Sequence, residues 1–310
     1  MIETVDFANL TTRALQDSDQ WQLRPVIEKE LLHYDILFGL DRAGLLEGLT
    51  FQGGTALRLC YGSTRLSEDL DFAGGPDFSK RHLMGIKECL EEYVGRRYGL
   101  AVEVKDPKPP KSEAKSKMGP SVSTWQLSII TAPERPDIPR QRIKFQVANV
   151  PSYSAIPRAL NINYDFLPDG YGDTLIMTET LEELMADKLV SLVNSNRFID
   201  DASIESGFIR YRDIWDLRWL QQKGAEPNLE WVANKVRDYG IQNYPEKVSE
   251  LRSQLPSIIS GDRFRQEMTR FLSQDAIGRT FDRPAFYDFL VAQIDELLQP
   301  LESLSSSRDL

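Results

Sequence analysis

Residues 51 to 72, FQGGTALRLCYGSTRLSEDLDF, constrain the fold of this chain more tightly than any other stretch. A strand-like LTFQ runs into Gly53, Gly54 and Thr55; an apolar-periodic ALRLC follows, and Asp69-Leu70-Asp71-Phe72 closes the unit. Side chains two apart on a strand share a face, so Asp69 and Asp71 stand side by side while Leu70 and Phe72 turn into a core. Two carboxylates on one face repel each other unless a cation lies between them. Hard oxygen ligands of this kind suit Mg²⁺, which binds through one or two carboxylates together with substrate phosphates. A glycine pair between strand and helix lets phosphates approach the backbone at a helix N-terminus. Asp-x-Asp alone also occurs at solvated strand ends. Glycines for approach combined with acids for metal are more specific, and the stretch reads as a metal-dependent phosphate-chemistry site.

GGTALRLCYGSTRLSEDLDF resembles the signature of the AbiEii/AbiGii-type nucleotidyltransferases, MenT-like toxins included, a branch of the DNA polymerase β-like superfamily. A second block, ETLEELMADKLVSLVNSNRF followed by RYRDIWDLRWL, is similar to that family's Ala-x-Lys-Leu helix, its Arg and its Arg-Asp-x-x-Asp-Leu run. The resemblance implies an α/β (α+β) fold: a polymerase β-like nucleotidyltransferase core with a mixed sheet, followed by a C-terminal all-helical domain. It also implies Mg²⁺, an NTP donor and an acceptor that is either RNA, such as a tRNA 3′ end, or a protein side chain. The biological setting it implies is the toxin of a type IV-like toxin–antitoxin or abortive phage-infection system, with a cognate antitoxin as partner.

Nucleotidyl transfer is an in-line displacement in which the protein positions the reactants and neutralises developing charge. Asp69 and Asp71 are the expected metal ligands and catalytic acids, and Gly53, Gly54 and Thr55 the expected triphosphate cradle. Ser67 shares the face of Asp69; it matches an active-site Ser or Thr of the family, or it caps the strand entry. Lys188 lies on a helix with Leu181, Leu184, Leu189 and Leu192. A lysine beside an apolar stripe ordinarily snorkels to water, whereas the resemblance assigns Lys188 to the nucleotide phosphates, supported by Arg197 and with Arg58 reaching the same anion. Asp213 and Asp216, three apart on a helix, are neighbours on one face. They read as an ion-pair network with Arg212 and Arg218 or as functional acids, with Asp216 ahead of Asp213 by its spacing from Lys188. One departure stands out. Polymerase β-like enzymes commonly carry a third metal-binding carboxylate on a later strand, and RIKFQVANV places Gln146 there. An amide offers an oxygen but no charge, which puts a two-metal arrangement in question.

The pattern along the chain predicts two domains, residues 1–176 and 177–310. Residues 7–48 carry helical periodicity, and residues 78–97 predict an amphipathic helix with Ile86, Cys89, Leu90 and Val94 on one stripe. Strand-like runs at LAVEVK, TWQLSII and RIKFQVANV, separated by Pro-rich spacers, predict an antiparallel meander. From about residue 178 the pattern is helical, broken near Gly224–Pro227 and Asn243–Pro245. No apolar run is long enough to span a membrane, and MIETVDFANL lacks a secretory signal pattern, so a cytoplasmic protein with no membrane partner is expected. Cys60 and Cys89 read as buried thiols rather than a disulfide. With two cysteines and two histidines in 310 residues, a structural zinc site is not expected.

The net charge of −10 argues against a general nucleic-acid coat while leaving room for a local basic patch. Residues 105–119, with Lys105, Lys108, Lys111, Lys115 and Lys117, read either as a solvated loop or as an arm that steers phosphates. Three functional classes follow: a toxin enzyme, a catalytically degenerate nucleotide- or RNA-binding module acting through a partner, and an antibiotic-modifying nucleotidyltransferase.

Overall fold

The computed structural model describes residues 5–16, 21–108, 120–135, 137–195 and 209–304. The chain divides into two compact units, Met1–Glu179 and Thr180–Leu310.

The first unit opens with helices α1 (Phe7–Gln16) and α2 (Arg24–Arg42), the latter with Pro25 in its first turn, where a missing N–H costs nothing. Strand β1 (Thr50–Gln52) leads directly into α3 (Gly53–Tyr61), and β2 (Leu70–Ala73) returns antiparallel to β1. Helix α4 (Ile86–Tyr98) precedes β3 (Val102–Lys105), β4 (Val122–Ile129) and β5 (Gln141–Ala148), which form the expected antiparallel meander. Two further strands, β6 (Ala155–Ala159) and β7 (Leu175–Glu179), complete a seven-stranded mixed sheet in the order β3-β4-β5-β2-β1-β7-β6.

Alternation places the core where the sequence put it. Leu70 and Phe72 are fully buried, and Phe72 stacks between Phe51 and Phe145 at centroid distances of 4.9 and 4.8 Å. On the meander, Val104, Trp125, Leu127, Ile143, Phe145 and Val147 are buried, with α2 packing on β5 and α4 on β3. Helix α4 is shorter than the predicted 78–97: Gly85 at φ +95° separates it from a 3₁₀ turn over Lys80–Leu83. Cys89 is only half-buried, so the inward stripe runs through Ile86, Leu90 and Val94. Burial pushes the Asp35 carboxyl up to about 6, although Arg97 at 2.8 Å and the hydroxyls of Tyr171 and Tyr98 favour its charged form.

Among its described residues the second unit is all helical: α5 (Leu181–Ser195), α6 (Tyr211–Gln222), α7 (Leu229–Asp238), α8 (Tyr244–Ser260), α9 (Asp262–Met268), α10 (Gln274–Arg279) and α11 (Ala285–Leu298). The breaks fall at the expected Gly224 and Asn243, both at positive φ. Among the described residues no helix is long and apolar enough to cross a membrane.

Candidate active site

The turn from β1 into α3 demands glycine for two independent reasons. Gly53 sits at φ +80°, and a Cβ there would lie 2.8 Å from Oδ2 of Asp71. At Gly54 a Cβ would meet Nη2 of Arg65 at 2.4 Å and Oγ of Ser67 at 3.0 Å. The first turn of α3 is therefore bare backbone walled by Asp71, Arg65 and Ser67. No side chain caps it, so its leading N–H groups and its dipole favour an anion.

Asp71 lies within β2, in register with Gln52 of β1 on one side and Gln146 of β5 on the other. The strand in which a third carboxylate was sought thus presents its amide directly beside Asp71, and Nε2 of Gln146 donates to Oγ1 of Thr124 at 3.1 Å. Asp69, one residue before the strand, is bound at both oxygens by one neighbour. The Lys144 backbone N–H donates to Oδ1 at 3.1 Å, and the Lys144 ammonium lies 3.5 Å from Oδ2. The loop leading to Asp69 is fixed by His33, whose Nε2 meets the Glu68 carbonyl at 3.1 Å, and by a 2.6 Å Lys29–Glu68 ion pair. Burial pushes the His33 imidazole down to about 4.

Two of the expected binding residues in this unit have side chains with partners of their own. The Arg58 guanidinium does not project toward a free anion: it is held by Glu30 at 2.8 and 3.0 Å and by the Ser63 carbonyl at 2.9 Å. The Thr55 hydroxyl is likewise committed, donating to the Asp69 carbonyl at 2.5 Å, so Thr55 can offer a phosphate only its backbone. Ser67 is buried in the loop before β2, against Gly54.

In the second unit, Lys188 does not snorkel. Its side chain is 7% exposed, and its ammonium bridges Oδ1 of Asp213 at 2.8 Å and Oδ2 of Asp216 at 2.9 Å. Arg210 and Ser191 both reach Oδ2 of Asp213 at 2.6 Å. Burial alone would raise the Asp213 carboxyl; Lys188 and Arg210 reverse that and hold it well below the usual carboxylate range. Arg210 takes the place at Asp213 expected of Arg212 or Arg218. Arg212 reaches Glu267 at 3.7 Å, and Arg218 lies over the rings of Trp215 and Phe286. A second buried lysine, Lys235, clamps Glu183 at 2.9 Å and Asp187 at 2.8 Å, both on α5. Arg197 lies outside the described residues, as do Lys111, Lys115 and Lys117.

Two residues at the first site escaped the sequence analysis. Arg65 is buried beside Gly54, and Lys144 faces Asp69. The signal for Arg65 was its place two residues before Ser67; for Lys144 it was parity with Gln146 on one strand face. Among the described residues no group of three or more His, Cys, Asp or Glu is placed to hold a metal ion. What β2 and α3 offer is the Asp71 carboxylate beside a helix N-terminus, with Asp69 two residues earlier in the chain.

A strand–Gly-Gly–helix–strand unit with paired acids, in a mixed sheet followed by a helical unit, defines a nucleotidyltransferase-type core. The fold is similar to that of MenT4, a nucleotidyltransferase toxin from Mycobacterium tuberculosis, with a TM-score of 0.54 at 17% identity, covering 97% of this chain and 91% of that one. JHP933 from Helicobacter pylori aligns with a TM-score of 0.48 at 16% identity over 89% of this chain and 91% of that one. Comparison with curated proteins gave no match. The family model for the nucleotidyl transferase AbiEii toxin of type IV toxin–antitoxin systems matches residues 35–291. The chain belongs to this family and is a nucleotidyltransferase.

Proposed function

We propose that this toxin transfers a nucleoside monophosphate from an NTP to a hydroxyl acceptor, RNA with a tRNA 3′ end foremost, with Mg²⁺ held by Asp69 and Asp71. The observation that carries this reading is the contact between Gly53 and Asp71, where a Cβ would come within 2.8 Å of the carboxylate. It brings the hard-oxygen carboxylate of Asp71 against a bare helix N-terminus, the chemistry that a nucleotide with its metal requires. Bound there, the cation would supply charge neutralisation at the reacting phosphate. The backbone N–H groups of Gly53 and Gly54 would bind phosphate oxygens, and the Arg65 guanidinium adds positive potential beside them. The acceptor hydroxyl forms a bond to the α-phosphorus as the bond to pyrophosphate breaks. Gln146 adds an oxygen beside Asp71 without adding charge, which supports a smaller metal complement than three acids would hold. The Lys188–Asp213–Asp216 cluster has an ammonium already neutralised by two carboxylates. In this reading it shapes α5 and α6, and it reaches a nucleotide only if a carboxylate releases it.

The test is incubation with each of four α-³²P-labelled NTPs, Mg²⁺ and total RNA, comparing the native chain with Asp69→Ala and Asp71→Ala. Label entering RNA from one NTP and lost in both variants is the expected result. Label on protein instead moves the acceptor to a side chain. NTP binding with no label anywhere would refute transfer and leave the binding-module reading, for which Gln146 in place of an acid is the supporting observation. Partner and setting follow from the family: a cognate antitoxin that restrains the toxin.

A further inference from the structure

The meander β3-β4-β5 has one face buried under α2 and α4 and an opposite face that is polar throughout its middle. Along that face Glu103 and Lys105 stand on β3, Thr124, Gln126 and Ser128 on β4, and Arg142, Lys144 and Gln146 on β5. Register aligns them into rows across the strands. Lys105 pairs with Gln126, Gln126 with Lys144, and Lys144 touches Asp69; Gln146 of the adjoining row pairs with Asp71. A further row sets Glu103 against Ser128 and Ser128 against Arg142, and Arg140 leans onto Ser128 at 3.5 Å. Lys105, Arg140, Arg142 and Lys144 are all exposed.

Four cations stand along this face, with Lys105 3.5 Å from Glu103 and Lys144 3.5 Å from Asp69, in a chain that carries 47 acidic and 37 basic residues. The bias is local, and it ends at the acidic pair. Strands lie about 4.8 Å apart, so the row from Lys105 to Asp69 spans roughly 14 Å. We infer that this face is the track on which a single-stranded nucleic-acid acceptor lies, its phosphates on Lys105, Arg140 and Arg142 and its end at Asp69 and Asp71. This rests on the RNA-acceptor reading above and adds the surface that holds it. The occupant is a polyanion rather than a protein face because the rows offer spaced cations and amides with no apolar centre, unlike a protein interface core. Lys144, bound to Asp69, is the hinge between track and reaction site.

The experiment measures binding of a fluorescein-labelled unstructured RNA 20-mer to the full chain across a salt series. The test variant carries Lys105→Gln, Arg140→Gln and Arg142→Gln; the control loses equal charge through Arg96→Gln, Lys223→Gln and Arg279→Gln. Single-strand binding carries a slope of about −0.7 in log K against log salt per phosphate contact, so three lost contacts flatten it by about 2 and weaken binding about a hundredfold at 0.1 M salt. The control should keep the native slope, and NTP-induced thermal stabilisation should be unchanged in both. A test variant that behaves like the control overturns the track while leaving the RNA acceptor in place. A native chain that binds no RNA overturns the track too, and the label-transfer assay then decides independently whether transfer goes to protein.

Discussion

Gly53→Ala is the substitution that most directly questions the site. The residue has φ +80°, and its added Cβ would stand 2.8 Å from Oδ2 and 3.3 Å from Cβ of Asp71. Left-handed backbone costs an L-residue roughly 1–2 kcal/mol, so the protein should stay folded with a small loss of stability. The contact has a different consequence. Non-bonded heavy atoms settle near about 3.5 Å, so the Asp71 carboxylate must retreat by roughly 0.7 Å or α3 must shift its first turn. A misplacement of about 1 Å in a reacting constellation costs on the order of 10²-fold in rate, and a loss of at least about tenfold in label transfer is expected. Gly48→Ala supplies the control: φ is +74° there, with nothing within 4 Å of the added Cβ. Both variants should lose similar stability in urea melts, and only Gly53→Ala should lose rate. If Gly53→Ala transfers label within threefold of Gly48→Ala, the close approach of Asp71 to the helix start plays no part in the reaction.

Lys188→Ala should unfold the helical unit more easily by about 3–5 kcal/mol, because it removes the ammonium shared by the buried carboxylates of Asp213 and Asp216. Asp69→Ala, whose 28%-exposed side chain pairs with an exposed ammonium, should change urea stability by no more than about 1 kcal/mol; equal losses in the two would refute the assignment of Lys188 as a structural key. Gln146→Asp places a third acid beside Asp71 and should tighten Mn²⁺ binding, followed by electron paramagnetic resonance, by about tenfold through added ligand charge; unchanged affinity would mean that no cation sits between β2 and β5. His33 is held neutral in the fold, with its value pushed down to about 4 from 6.5. Its stabilisation is therefore present above 6.5 and is lost as pH falls toward 4. Acidification from pH 7 to 5 should cost the native chain about 2 kcal/mol more than it costs His33→Gln, and parallel thermal-melt profiles would contradict this.

The strand–glycine–helix–strand unit was legible because each part carries its own local signal: alternation at Leu70 and Phe72, and glycines where φ turns positive. The meander was legible for the same reason. Strands β6 and β7 were not, and their chemistry explains it. β6 is a sheet-edge strand carrying Pro157. In β7 the apolar Leu175 and Met177 face outward while Thr178 is buried, so hydropathy alternation runs against burial. At the site, the paired acids and the glycines could be read from spacing. The commitments of Arg58 to Glu30, 28 residues away, and of Lys188 to Asp213, 25 away, are tertiary choices without a local signature. Ionic partners decide whether a cation is free for a ligand, and the linear sequence does not name them.

Helix α5 is keyed by two buried lysines: its own Lys188 reaches out to α6, while Lys235 of α7 reaches in to its Glu183 and Asp187. Neutralising either lysine leaves its two carboxylates short of a countercharge, whereas exchanging a whole set for apolar residues can be nearly neutral. Drift at these positions is therefore strongly epistatic. Lineages should cross from one solution to another only by concerted replacement, so α5, α6 and α7 will tend to change together or not at all.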